Sequence, residues 1–208
     1  MIRVITVERE LGAGGGVIAA RLAERLGWKL WDQRLTAEIA QRLDCDSRAV
    51  AAREERRDPA YYRLFKAFLH GSFEGNLNTR GTRAVDADCV RETTEQVVRE
   101  VAQTGECVIV GRGSAYYLGD RGDAFHVFVY APYADKVRRL ISSGKSPDEA
   151  RELAETVDRD RAAFIERYFH VAWPDRHRFH LMVNSGLGEE LSVHTILDTM
   201  ARFGEGRA

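Results

Sequence analysis

Four short runs in which nearly every position is apolar stand out along the chain: Ile2 to Val7, Cys107 to Val110, Phe125 to Tyr130 and His180 to Val183, with a shorter fifth at Trp28 to Trp31. Runs of this kind, rich in β-branched residues and without polar alternation, predict strands covered on both faces, as in a parallel sheet. Between them the apolar positions change to a helical spacing. Ile18, Leu22 and Leu26 mark a helix over Val17 to Leu26, Val97, Val98 and Val101 mark another over Val90 to Val101, and Tyr133 to Ile141 predicts a third. In SPDEARELAETV, Ser146 stands as N-cap, Pro147 at the first helical position and Glu149 three residues after the cap, so a helix starts within a residue of Ser146. Strands alternating with helices predict an α/β protein with a doubly wound parallel sheet, whose ligands gather beyond the carboxyl ends of the strands. Two stretches break the alternation: Ser47 to Asp88, with Tyr61, Tyr62, Phe65 and Phe68, and Ser142 to Pro174, rich in Arg and Asp. Both read as helical excursions over the sheet edge. With no internal repeat, low-complexity tract or long Pro/Gly/Ser linker, residues 1–208 are expected to form a single domain.

Composition narrows the partners. The 208 residues carry 31 basic and 32 acidic side chains, a net charge of -1, so no global field draws the chain to nucleic acid or to a membrane surface, and an anion site has to be local. The three cysteines (45, 89 and 107) lie far apart without CxxC spacing, and the six histidines show no HExxH or similar ligand pattern, which argues against a disulfide framework and a metal site. No apolar run is long enough to span a bilayer, and Met1 leads directly into a strand pattern, so a reducing cytoplasm is the expected location. Ser114 after GRG does not make a GxSxG elbow. Trp28 and Trp31 flank the second strand and read as packing, and REERRD at 53 to 58 as a solvated helix end.

The candidate chemistry lies in ERELGAGGGV, residues 8 to 17, between the first strand and the first helix. A glycine-rich strand-to-helix turn aims several N–H groups and the positive helix end at one point, which suits a phosphate. The usual loop ends in a lysine and a hydroxyl residue. Laid over it, Arg9 falls at the first glycine, Gly14 at the second, Gly15 at the lysine and Val17 at the hydroxyl. A missing charge about 4 Å from a phosphate is worth on the order of 4 kcal/mol at an effective dielectric near 20. Arg9 stands in the same loop as the replacement cation. Two rival readings remain. The glycines can serve only a tight turn, or Gly12, Ala13 and Gly14 can begin a dinucleotide fingerprint with Asp32 on the ribose, although its third glycine would fall at Val17.

Beyond the loop, Asp32 ends the second strand and reads as N-cap of the helix QRLTAEIAQRL. Arg112 follows CVIV in a Gly-Arg-Gly turn, where a bidentate grip on a phosphate competes with a plain turn. In VDRDRAAFIERYF, Arg159, Arg161 and Arg167 offer guanidinium groups on a helix able to close over a nucleotide, against a solvated face on which Asp158 and Asp160 pair locally.

The order ITVERELGAGGGVIAARLAERLGWKLWDQRL, CVIVGRG, FHVFVYAPYADKVRRLI, DRDRAAFIERYF and WPDRHRFHLMVNSGLG resembles the cytidylate kinase-like family, a divergent branch of the nucleoside monophosphate kinases. The resemblance runs nearly end to end and is weakest between Ser47 and Asp88. It implies a P-loop kinase-like three-layer fold with a five-stranded parallel sheet, a monophosphate-binding excursion at 47–88 and a lid at 142–174. It also implies phosphoryl transfer from ATP, with Mg²⁺, to a nucleoside monophosphate such as CMP; a catalytically weak nucleotide-binding or regulatory protein on the same scaffold is the alternative. The family loop resembles SREFGSGGREIA, so Arg9, Glu10, Gly12, Gly14 and Gly15 match, whereas Gly16 and Val17 replace its usual Arg and Glu. By this resemblance the glycine loop, Gly12 to Val17 with Ala13, holds ATP, Asp32 and Arg112 meet the acceptor, and Arg9, Arg112 and the lid arginines serve the transfer. Asn184 and the preceding HLMV resemble a structural strand of the family.

Overall fold

The computed structural model describes residues 1–50 and 87–206, so most of the expected monophosphate-binding excursion, including its aromatic group and REERRD, lies outside the described residues. Among the described residues, five strands form one parallel sheet: β1 (Val4–Arg9), β2 (Lys29–Trp31), β3 (Cys107–Val110), β4 (Ala124–Tyr130) and β5 (Leu181–Asn184). They lie in the order β2-β3-β1-β4-β5. This order places β3 between β1 and β2, whereas the dinucleotide fold pairs its first two strands directly. The dinucleotide reading of Gly12, Ala13 and Gly14 is therefore corrected by topology.

Among the described residues, seven helices accompany the sheet: α1 (Gly15–Leu26), α2 (Gln33–Val50), α3 (Ala87–Thr104), α4 (Ser114–Tyr117), α5 (Tyr133–Ser142), α6 (Pro147–Phe169) and α7 (Glu189–Glu205). Successive strand side chains point to opposite faces. Ile5, Val7, Val108, Val110, Val127 and Val129 meet Ile18 and Leu22 of α1 and Val193 and Ile196 of α7 on one side. On the other, Val4, Cys107 and Ile109 meet Leu35 and Ile39 of α2 and Val97, Val98 and Val101 of α3. Helix–sheet–helix layering results, with both faces of the central strands β1, β3 and β4 dry, which is why their runs carry no regular polar alternation. Trp28 and Trp31 pack against these two cores, one on each, as their flanking positions predict.

Two boundaries beside the glycine loop differ from the pattern in the sequence, and a third, at the start of α6, matches it. β1 runs to Arg9, in register with Val129 of β4, so Glu8 and Arg9 are strand residues and the loop proper starts at Glu10. Polar side chains hid this extension, although both are buried. α1 begins at Gly15, two residues before Val17, because Gly14 takes the left-handed φ of +75° that turns the chain into the helix. α6 fills most of the expected lid stretch, and its cap matches expectation: the Glu149 N–H donates to Ser146 Oγ at 3.2 Å. Among the described residues no helix is long and apolar enough to cross a membrane.

Candidate active site

The loop after β1 wraps a cavity of about 240 Å³ lined by residues 10–12 and 14–17, by Arg9, Arg139 and Arg161, and by Glu189. Gly14 caps α1 without a side chain, so the first-turn N–H groups of the helix have no intrahelical partner and face this corner. Gly12 also has a left-handed φ, +74°, and a Cβ there would stand 2.8 Å from the Lys136 carbonyl oxygen. The glycine is required for the loop to lie against α5.

Arg9 packs against the start of α1. A Cβ on Gly15 would stand 2.6 Å from Arg9 Cβ and 2.8 Å from Cγ, and one on Gly111 would meet Arg9 Nη1 at 1.7 Å. The arginine stem thus crosses the start of α1 and its guanidinium lies over the turn after β3. A side chain at Gly15 and the Arg9 stem would compete for the same space.

Arg161 donates from Nη1 to the Arg9 carbonyl at 2.9 Å and to Asp158 Oδ1 at 3.1 Å. It is buried on α6, whereas Arg159 and Arg167 are exposed on the same helix and are not among the cavity-lining residues. Helical phase carries this distinction: Ala150, Ala154, Val157, Arg161 and Phe164 share the buried stripe, and the other two arginines fall off it. Arg167 lies with its Cζ 5.7 Å from the Tyr168 ring centroid.

Arg112, 2% exposed, donates to Thr36 Oγ1 at 2.5 Å from a backbone with φ +61°. Burial, followed by the neighbouring Arg9, pulls Arg112 down to about 9 and Arg161 to about 10, and both keep their charge at neutral pH. Glu8 is buried among these arginines, and its carboxyl is held above the usual carboxylate range. Burial pushes its carboxyl up, while Arg9, Arg161 and Arg112 pull it down. Asp32, buried at the end of β2, does not cap α2 through Oδ1, which has no hydrogen-bond partner among the described residues; its charge supports Arg112.

Sequence reasoning missed a second ring of residues. Asp158 does not pair only within its own helix. Its Oδ1 accepts from the Leu11 N–H at 2.8 Å and its Oδ2 from Lys136 Nζ at 2.9 Å, so it ties α6 to the loop and to α5. Lys136 also pairs with Glu10 at 3.2 Å, and Glu189 with Arg21 at 3.5 Å, so each carboxylate lining the cavity has a cationic partner. Arg139 donates to the Gly12 carbonyl at 3.2 Å, to Ser185 Oγ at 3.0 Å and to the Ser185 carbonyl at 3.0 Å. No local motif announces these partners. The one available signal was the amphipathic phase of α5, which buries Lys136 with Leu140.

A five-stranded parallel sheet in this order, with a glycine loop entering α1 and guanidinium groups converging above it, defines a P-loop kinase-like fold. Solved structures agree at the level of fold. An uncharacterized protein from Eubacterium ventriosum is similar with a TM-score of 0.68 at 17% identity, over 97% of this chain and 99% of that one. Shikimate kinase from Bacteroides thetaiotaomicron has a TM-score of 0.52 at 17% identity, over 99% and 98%. Shikimate kinase from Aquifex aeolicus has a TM-score of 0.52 at 14% identity, over 95% and 96%. No curated protein matches the sequence. Residues 4–187 match the cytidylate kinase-like family, and the chain belongs to it.

Proposed function

We propose that this protein transfers the γ-phosphoryl group of ATP to a nucleoside monophosphate, with CMP as the preferred acceptor. The observation that carries the reading is the cavity at the head of α1, lined by Gly14 to Val17 together with Arg9, Arg139 and Arg161. Phosphoryl transfer asks little covalent chemistry of a protein; positioning and charge neutralisation dominate. The N–H groups at the head of α1 hold the donor phosphates, with Arg9 and Arg139 as cations on either side. Arg161, buried against the Arg9 carbonyl, stabilises charge on the moving phosphoryl group. Arg112, with Asp32 beside it, receives the acceptor. An acceptor phosphate oxygen forms the new P–O bond as the bond to the β–γ bridging oxygen breaks, giving a nucleoside diphosphate and ADP. Arg159 and Arg167 join only when α6 closes further.

Magnesium bound chiefly by substrate phosphates and water needs one or two protein carboxylates. The buried Asp32 Oδ1, without a hydrogen-bond partner among the described residues, fits that need. The ion would supply further neutralisation of the triphosphate.

Gly15, Gly16 and Val17 favour a second reading, a nucleotide-binding or regulatory protein with little turnover. One experiment separates the two: ADP formation with CMP, dCMP, UMP and AMP, run beside ATP-induced thermal stabilisation. ADP formed fastest with CMP supports the kinase. Stabilisation by ATP without ADP formation selects the binding protein, and neither response refutes both.

A further inference from the structure

Ser185 lies beyond the end of β5, far in sequence from the glycine loop, and is 1% exposed. Its hydroxyl is fully committed. Oγ stands 2.6 Å from the Ala13 carbonyl oxygen and 3.0 Å from Arg139 Nη1. Arginine has no acceptor, so the Arg139 contact uses a lone pair of Oγ, and the single hydroxyl proton goes to Ala13. The direction of the hydrogen bond follows from chemistry alone.

That bond has a consequence on the opposite side of the peptide unit. In a trans peptide the C=O and the following N–H point in opposite directions. Holding the Ala13 carbonyl toward Ser185 therefore turns the Gly14 N–H away from it, on the side where Gly14 lines the cavity while Ala13 does not. The adjoining carbonyl, that of Gly12, is held by the same Arg139 guanidinium. Gly12 and Gly14, at φ +74° and +75°, have no side chain to resist a peptide rotation, so the orientation depends on these partners.

We infer that Ser185 is a positioning residue for nucleotide binding: its hydroxyl sets the Ala13–Gly14 peptide so that the Gly14 amide is presented to a donor phosphate. The inference rests on the loop being the ATP site, and it adds a residue outside every glycine motif.

The test uses full-length, ¹⁵N-labelled protein with Ser185→Ala and Ser185→Cys, which keeps the volume but is a weak donor. In the unliganded proteins both variants should shift the Gly14 amide resonance away from its native position while distant core resonances stay in place. On titration with ATP both should bind about 3- to 10-fold more weakly, the range for one lost hydrogen bond, with the KM for CMP unchanged. Ser185→Thr, which retains the hydroxyl, should return ATP affinity to within about twofold of native. An unmoved Gly14 resonance, or a Cys variant that binds ATP as the native protein does, overturns the inference. Failure of the native protein to bind ATP would instead refute the loop assignment, while the Gly14 resonance would still decide whether Ser185 orients the peptide.

Discussion

The Cβ that Gly15 lacks would stand 2.6 Å from Arg9 Cβ, so the two positions are sterically exclusive: an arginine at the end of β1 requires glycine at the head of α1. Restoring the lysine alone should therefore fail. Gly15→Lys is expected to weaken ATP binding at least about tenfold, as is Arg9→Gly, while the double variant recovers to within a few-fold of native. Calorimetric ATP affinities in a double-mutant cycle would give a coupling of roughly 1 kcal/mol or more. Additive effects would show that the two residues do not share one space.

Of the three arginines singled out on α6, Arg161 is the one that lines the cavity. Arg161→Ala should lower turnover about a hundredfold or more with a much smaller loss of ATP affinity, because its contribution belongs to the transferred group. Arg159→Ala should change turnover far less. Equal losses of kcat and affinity in Arg161→Ala would contradict the assignment.

Asp158 accepts from the Leu11 N–H, Lys136 and Arg161 together. Asp158→Ala leaves Lys136 with Glu10 as its carboxylate and should destabilise the fold by about 3 kcal/mol in urea unfolding, as expected for a broken buried pair. Asp160→Ala should stay within about 0.5 kcal/mol. Matching midpoints for the two variants would count against the three-way tie.

His126 reports on the core. Its Nδ1 lies 2.7 Å from Thr6 Oγ1, and burial, followed by His180, lowers it to about 4. The folded value lies below the unfolded one, so the unfolded chain takes up the proton first. The contribution to stability is complete above about pH 6.5 and lost as pH falls toward 4, up to on the order of 3 kcal/mol. Unfolding midpoints between those pH values should fall less steeply in His126→Gln; parallel slopes would contradict the reading.

These residues also mark how far the sequence could be read. The strands were legible because both faces of the sheet are dry, and the start of α6 because Ser146, Pro147 and Glu149 form a local signal. The end of β1 was not, since Glu8 and Arg9 are polar residues buried close to Arg112, after β3, and to Arg161 of α6. The glycine loop was visible as a motif, yet what fills the lysine space was not, because it requires the register of Arg9 against α1. Asp158 with Leu11 and Ser185 with Ala13 are separated by 147 and 172 residues, distances over which no periodicity carries information.

The central claim is that main-chain N–H groups at the head of α1, with Arg9 in place of lysine, hold the triphosphate. A crystal structure with a non-hydrolysable ATP analogue and CMP tests it most directly. Phosphate oxygens within hydrogen-bonding distance of the Gly14 to Val17 amides and of the Arg9 guanidinium are the predicted result. A triphosphate bound elsewhere, with this corner holding only water, would contradict it.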